Sequence, residues 1–122
     1  MSLGVRNGTI VTAVDGYAAD LRIEGGRIVA IGAGVADTAS RTLDASGLLV
    51  LPGGIDAHTH FDLPTSGTVS SDDFETGTRA AAFGGTTTCI DFATPAKGES
   101  LRAALDAWHA KAAGKACVDY GF

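Results

Sequence analysis

The first fifty residues alternate apolar and polar side chains, a pattern that predicts short β-strands. Residues 19–24 (ADLRIE) alternate strictly, and the apolar-rich stretch 27–31 follows after a pair of glycines. Successive side chains of a strand point to opposite faces, so this period is typical of a sheet with one covered face. Asn7-Gly8 is a common hairpin turn and predicts one at that point. Residues 1–51 are therefore expected to form a small antiparallel sheet.

From residue 52 onward the pattern changes to strands alternating with helices. Asp72, with Glu75 three residues later, resembles a capping box, the usual start of a helix. Apolar residues at helical spacing and a β-branched run predict the following elements. These are a helix ending near Phe83, a buried strand at 86–92, a helix at 99–113 and a strand beginning at 116–120. Strand, helix and strand in this order indicate parallel α/β units.

Composition narrows the classes of partner. The chain has 122 residues, 45% of them hydrophobic, and a net charge of −5, which argues against nucleic acid or an anionic membrane surface. No apolar run reaches the ~20 residues of a membrane span. Cys89 and Cys117 lie far apart in apolar runs without CxxC spacing. We interpret them as buried reduced thiols rather than a disulfide, which fits a cytoplasmic protein.

Candidate chemistry is concentrated at the end of the strand at 51–60. His58 and His60 are separated by one residue, so in an extended chain both imidazoles project to the same side and can bind one metal ion. Asp56 lies two residues before His58, so its side chain is expected on the same face of the strand. There it is expected to orient an imidazole without binding the metal itself. The alternative is that these are polar residues satisfied at a strand end.

The residues around the two histidines carry a family resemblance. PGGIDAHTH at 52–60, the run GTVSSDDFETGTRAAAFGGTTTCIDF at 67–92, the later SLRAALDAWHAKA and the final CVDYGF resemble the hydantoinase and dihydropyrimidinase branch of the amidohydrolase superfamily. The resemblance implies the N-terminal part of a urease-like β-sandwich at 1–51. It further implies, at 52–122, the first three strands and two helices of a metal-dependent (β/α)₈ TIM barrel.

The resemblance also implies a two-metal centre, usually of zinc, in which His58 and His60 bind the more buried ion. In that family a carboxylated lysine, two further histidines and a proton-shuttling aspartate complete the centre. The positions of Lys97, Lys111 and Lys115, in a predicted loop and on or just after a predicted helix, exclude them as the bridge. No catalytic residue is therefore expected within this stretch, and the aspartate is expected beyond residue 122.

The segment after the histidines carries the substrate expectations that the resemblance implies. Leu63 and Phe61 are candidates for contact with the ring substituent, although Phe61 is equally well explained as packing the loop down. Dihydroorotases have arginine at the position of Asp62, where it holds a substrate carboxylate; an aspartate would repel one. Asp91 is either a partner behind the metal ligands or a structural hydrogen-bonding group, and we favour the structural interpretation.

The resemblance therefore predicts a hydrolase that opens hydantoins or dihydropyrimidines to N-carbamoyl amino acids. Its expected partner is a small cyclic diamide, without nucleic acid or membrane, in a homo-oligomeric enzyme, either a tetramer or a dimer. The rivals are an allantoinase, a dihydroorotase-type enzyme, a non-catalytic assembly protein of the same family and a small metal-binding domain. Because a barrel of this type takes about 250 residues, we expect this chain to be incomplete as a catalyst.

Overall fold

The structure is a computed structural model that describes residues 1–122. The chain divides into two compact units, Met1–Pro52 and Gly53–Phe122, which are described separately. Neither helix of the chain is long and apolar enough to cross a membrane.

The first unit is a sheet built around its longest strand. Its strands are β1 (Ser2–Val11), β2 (Gly16–Glu24), β3 (Arg27–Gly32), β4 (Arg41–Asp44) and β5 (Leu49–Val50). The order is β3-β2-β1-β4, with β5 also paired to β1. β2 runs antiparallel to both β1 and β3, whereas β4 and β5 pair with β1 in parallel. The sequence predicts a purely antiparallel sheet, whereas the observed sheet is mixed.

The hairpin predicted at Asn7-Gly8 is wrong. β1 continues through these residues, and its register with β2 shifts between Val5 and Gly8, so Asn7 lies in a β-bulge with φ of 63°. Asparagine and glycine favour positive φ in a bulge as readily as in a turn, so the dipeptide alone does not separate the two. The chain reverses instead between β1 and β2, where Thr12 N–H donates to Asp15 O at 2.8 Å.

Close backbone contacts explain two glycines of β1. A Cβ on Gly4 would lie 2.7 Å from the Ala36 Cβ, and one on Gly8 would lie 2.6 Å from a methyl carbon of Val50. Both distances are shorter than side chains tolerate, so glycine is required for the loop after β3 and for β5 to pack on β1.

The second unit consists of consecutive parallel βαβ units. It contains β6 (Gly54–Thr59), β7 (Pro64–Thr65), β8 (Thr68–Val69), α1 (Phe74–Phe83), β9 (Thr86–Asp91), α2 (Leu101–Ala112) and β10 (Asp119–Gly121). The sheet has the order β10-β9-β6, and both pairings are parallel. β7 and β8 form a separate short hairpin. The expected alternation of strand and helix is present, although the third strand begins three residues later than predicted.

The start of α1 differs by one residue from the prediction. The N-cap is Asp73, not Asp72, and its carboxylate accepts the N–H groups of Glu75 and Thr76 at 2.9 and 2.8 Å. The Asp73 N–H in turn donates to the Thr76 hydroxyl at 3.1 Å, so Thr76 rather than Glu75 completes the capping box. The Thr76 N–H bond is also the main cause of the lowered pKa of Asp73. Because two aspartates are adjacent, the sequence pattern fits either register.

The core of the second unit lies between its sheet and its helices. Phe74 and Thr78 of α1 and Trp108 and Ala112 of α2 are buried, as is Cys89 of β9. Both cysteines are free, but Cys117 is exposed, so the prediction that both thiols are buried is wrong for Cys117. The residue follows α2 in a turn, where its N–H donates to the Thr78 hydroxyl at 2.9 Å.

Several large apolar side chains of the second unit are exposed. Ile55 of β6 is 69% exposed, Phe83 at the end of α1 is 90% exposed and Leu101 at the start of α2 is 76% exposed. A parallel sheet is normally covered on both faces. These residues therefore form apolar surface that the helices of this unit do not cover.

Candidate metal centre

The two histidines lie at the carboxyl end of β6, with His58 inside the strand and His60 just after it. β6 runs beside β9, and a Cβ on Gly53 at its start would overlap the Thr87 side chain, so glycine allows the strand to approach. The register between the strands shifts between Asp56 and Thr59. The alternation of side chains between the two faces of the strand is therefore interrupted between Asp56 and the histidines.

The imidazoles of His58 and His60 nevertheless converge. Their Nε2 atoms lie 3.2 Å apart, and the ring planes meet at 75°. Thr59, between them, points elsewhere: its hydroxyl lies 3.0 Å from Asp91 Oδ2 and 3.3 Å from Ile90 O. The prediction that the two imidazoles share one side of the strand is confirmed.

The donor set fits a divalent metal such as zinc. Tetrahedral coordination with Zn–N bonds of about 2.0–2.1 Å separates two ligand nitrogens by about 3.3–3.4 Å. The observed 3.2 Å is close to that value, and the two Nε2 atoms share no polar partner other than each other. Both histidines are exposed, so a metal ion reaches them without any rearrangement of the core.

No third ligand accompanies the pair, since no group of three or more His, Cys, Asp or Glu side chains is placed to hold a metal ion. His109, the remaining histidine, is exposed on α2, where its ring meets Phe122 at 4.8 Å. Burial and, to a lesser extent, the charges of Asp56 and Asp91 raise the pKa of the Cys89 thiol, which keeps it protonated and unsuited to bind metal.

Asp91 anchors the segment that carries the two histidines. It is only 1% exposed, yet its carboxylate is fully used. Oδ2 accepts the Phe61 N–H at 2.8 Å and the Thr59 hydroxyl at 3.0 Å, and Oδ1 accepts the Trp108 indole N–H at 2.7 Å. Thr59 and Phe61 flank His60, so this one buried side chain joins the chain on both sides of that histidine to α2. These contacts match the interpretation of Asp91 as a structural hydrogen-bonding group.

Asp56 makes a different bond from the expected one. Its Oδ1 accepts the backbone N–H of His58 at 3.1 Å and bonds to neither imidazole. Because the register shift interrupts the alternation after Asp56, parity does not bring its carboxylate to an imidazole nitrogen.

The two substrate candidates occupy different environments. Phe61 is 9% exposed and meets the Phe74 ring edge-on at 5.3 Å, while the absence of a side chain at Gly77 makes room for it. The geometry thus supports the alternative that Phe61 packs the loop down. Leu63 is half-buried and lines a small open depression with residues of the loop after β9. The other lining residues are Pro64 of β7 and, from that loop, Thr94, Pro95 and Ala96.

The turn after His60 is held by the side chains of Lys111 and Ser70. Asp62 has a φ of 50°, and its carbonyl accepts Lys111 Nζ at 2.6 Å; the same ammonium lies 3.9 Å from the centre of the Trp108 ring. Leu63 N–H donates to the Ser70 hydroxyl at 2.9 Å, which in turn lies 3.3 Å from His60 O. Lys111, which sequence reasoning only excluded as a metal bridge, therefore holds the turn after His60 against α2.

Phe92 is a neighbour of the site that sequence reasoning missed. It follows Asp91 at the end of β9, and its ring stacks on His58 with centroids 4.4 Å apart. The signal was present in the sequence, because consecutive strand residues point to opposite faces. A residue next to the buried Asp91 is therefore directed to the side of the sheet where the histidines lie.

A cavity of about 390 Å³ lies beside the histidines, not at them. Its walls are apolar side chains of β9, α2 and the chain end, and Asp91 is its one ionisable residue. Because the oxygens of Asp91 are already bonded within the protein, that carboxylate is not free to bind a ligand in the cavity.

Comparisons with known proteins agree with this arrangement. A sequence profile described as "Amidohydrolase family" matches residues 49–121. A D-hydantoinase of Geobacillus stearothermophilus is 58% identical over 118 residues, which cover 97% of this chain and 25% of that protein. A solved dihydropyrimidinase from Brevibacillus agri superposes with a TM-score of 0.95 at 56% identity, covering 100% of this chain and 26% of its own.

A more distant structure, an N-acyl-D-glutamate deacylase from Bordetella bronchiseptica complexed with zinc, matches with a TM-score of 0.61 at 27% identity. It covers 97% of this chain and 28% of its own. This chain thus spans about a quarter of the length of the proteins it matches. The resemblance drawn from the sequence and the expected fold class, an all-β portion followed by β/α units, are both confirmed. The chain belongs to the amidohydrolase family.

Proposed function

We propose that this chain is the N-terminal portion of a metal-dependent hydrolase that opens the cyclic amide bond of hydantoins or dihydropyrimidines. The products are N-carbamoyl amino acids. The observation that carries the proposal is the 3.2 Å approach of the His58 and His60 Nε2 atoms at the carboxyl end of β6. Barrel enzymes place their active sites at that end of the strands. The named activities of the similar D-hydantoinase and dihydropyrimidinase support the substrate class.

The proposal assigns a part to each unit. Residues 1–51 form the N-terminal part of a β-sandwich, and residues 52–122 form the first three strands and two helices of a (β/α)₈ barrel. The uncovered apolar side chains of the second unit, Ile55 and Phe83 among them, support this assignment, because neighbouring barrel elements would cover them.

His58 and His60 hold one ion of a binuclear zinc centre in this proposal. Bound zinc polarises the amide carbonyl and supplies hydroxide near neutral pH. The remaining ligands, a carboxylated lysine among them, come from residues that this chain does not contain. Asp91 keeps His60 in place through Thr59 and Phe61, and Asp56 fixes the backbone at His58. Both act behind the ligands, without contact with substrate.

The proposed substrate contacts lie in the turn after His60. Leu63, half-buried at the depression bordered by the loop after β9, contacts the ring substituent, whereas Phe61 supports the turn from the core. Asp62, in the place of a carboxylate-binding arginine, favours neutral rings over dihydroorotate. The complete enzyme is a cytoplasmic homo-oligomer, a tetramer or dimer; the two free cysteines are consistent with a reducing compartment.

Comparing kcat/KM of the complete enzyme for hydantoin, dihydrouracil, allantoin and dihydroorotate tests the substrate class. We expect hydantoin and dihydrouracil to exceed dihydroorotate by at least about tenfold, because Asp62 repels a carboxylate. A preference for dihydroorotate or allantoin would replace the assignment by one of those activities. No turnover of any of the four by a zinc-loaded protein would favour a non-catalytic assembly protein.

Shortening Leu63 to Ala tests the pocket. The ratio of rates for bulky and small 5-substituted hydantoins should change, with zinc content unchanged, because the side chain contacts the substituent and not the metal. An equal loss for all substituents would make Leu63 a structural residue only.

A further inference from the structure

We propose that Phe92 is a positioning residue that holds the His58 imidazole in its metal-binding orientation and thereby strengthens metal binding at this site. The inference rests on the proposed function, because it takes His58 as a metal ligand. It goes further by assigning a role to an aromatic residue of the neighbouring strand.

Phe92 reaches His58 because two parallel strands end side by side. Its N–H donates to Thr59 O at 3.3 Å, which continues the pairing of β9 with β6 by one residue. From that backbone position the phenyl ring stacks on His58 at 4.4 Å with an interplanar angle of 29°. The same ring lies 5.5 Å from His60 at 49°. One phenyl ring therefore contacts both imidazoles.

The core of the unit does not account for this residue. Phe92 is 47% exposed and lies outside the cluster formed by Phe61, Phe74 and Trp108 and the apolar side chains packed on it. A side chain this exposed would normally adopt several rotamers, but the stack with the His58 imidazole selects one. The aromatic contacts of Phe92 are thus made with the two candidate ligands.

The stack favours the metal-bound state for an electrostatic reason. An imidazole that shares its Nε2 lone pair with a cation loses electron density, whereas the face of a phenyl ring carries partial negative charge. Attraction between the two rings is therefore greater with metal bound than without it. Restricting the His58 ring before binding adds to this, because less rotamer freedom is lost when the metal arrives.

The test measures zinc affinity of the complete enzyme by competition with a chelator, using three variants. Phe92→Leu keeps apolar volume and removes the ring, and Phe92→Tyr restores the ring. Tyr17→Leu, in the first unit, removes a comparably exposed ring (40%) that is not among the aromatic contacts of either histidine. The free energy of an aromatic pair is large enough to change the zinc affinity by about 2- to 10-fold. We expect zinc binding to weaken by that factor in Phe92→Leu and to stay within about twofold of wild type in the other two.

A structural role alone would give a different result. It would lower the Tm of the metal-free protein in Phe92→Leu without a selective loss of zinc affinity, and that outcome would overturn the proposal. Wild-type affinity in Phe92→Leu, or equal weakening in Phe92→Tyr, would also overturn it.

His58→Ala separates this inference from the proposed function. If His58→Ala loses zinc but Phe92→Leu binds it normally, the role of Phe92 alone is disproved. If His58→Ala keeps full zinc content, the metal site itself is disproved and the role of Phe92 with it.

Discussion

The two units of the chain use carboxylates in opposite ways. In the first unit Asp44 is exposed and accepts hydrogen bonds from the Asn7 amide at 3.0 Å and the Ser46 hydroxyl at 2.6 Å, which ties the β1 bulge to the turn after β4. In the second unit Asp91 is 1% exposed and joins the segment around His60 to α2. One aspartate secures a surface turn, whereas the other organises the interior beneath two histidines.

The difference between the two carboxylates follows from their burial, since Asp91 is buried and Asp44 is exposed. Water can replace the Asp44 carboxylate as acceptor if it is removed, whereas the buried Phe61 N–H and Trp108 indole N–H that meet Asp91 have no access to an equivalent substitute. The same contrast explains where the chemistry is placed. The second unit supports its exposed histidines with a buried polar network, and the first unit has neither a comparable network nor a histidine.

Removing Asp91 is expected to have the largest effect on stability. Asp91→Ala leaves the Trp108 indole N–H, the Phe61 N–H and the Thr59 hydroxyl without their shared acceptor, at a cost of about 3–5 kcal/mol in the free energy of unfolding. Asp44→Ala is the matched control and should cost much less at neutral pH. Urea unfolding of both variants measures the difference; equal losses would show that burial does not separate the two carboxylates.

Filling the space beside Phe61 is expected to have an intermediate effect. A Cβ on Gly77 would overlap the Phe61 ring, so Gly77→Ala must displace the ring or the helix, at about 1–3 kcal/mol. Gly84→Ala, at the end of the same helix, is the control, because the nearest atom to its new Cβ is 3.4 Å away. Thermal unfolding compares them. A Gly77→Ala variant as stable as Gly84→Ala would mean that Phe61 is not wedged against α1.

The smallest expected effect is the pH dependence contributed by Asp44. Hydrogen bonds, first from the Ser46 hydroxyl and then from Asn7, lower its pKa from the usual 3.8 to about 2. A lowered pKa in the folded state stabilises the fold above about pH 4, and this contribution is lost as the pH falls toward 2. Asp44→Asn should therefore flatten the acid side of the stability curve between pH 4 and 2, measured by urea unfolding. An unchanged slope would contradict the assignment.

Much of the second unit is predictable from sequence because its signals are local. Helical spacing predicts α2 within two residues of its observed bounds, and the spacing of His58 and His60 brings their rings together. The misplaced hairpin at Asn7-Gly8 shows the limit of such signals. A bulge and a turn need the same backbone torsion, and only pairing with β2 decides between them.

Features that depend on distant partners were not predictable. The sequence left Phe61 open between a substrate contact and a packing role, and only its position against Gly77 of α1 favours packing. The expected bond from Asp56 to an imidazole failed for a related reason. One extra residue in the register between β6 and β9 redirects side chains that a strict period of two would align.

The central claim, that His58 and His60 are metal ligands, is tested most directly by the zinc content of the purified complete enzyme. Elemental analysis should be run on wild type, His58→Ala, His60→Ala and His109→Ala, the last removing the exposed histidine of α2 as a matched control. The account predicts loss of at least one zinc per chain in the first two variants and none in His109→Ala. Full zinc content in both His58→Ala and His60→Ala would contradict it.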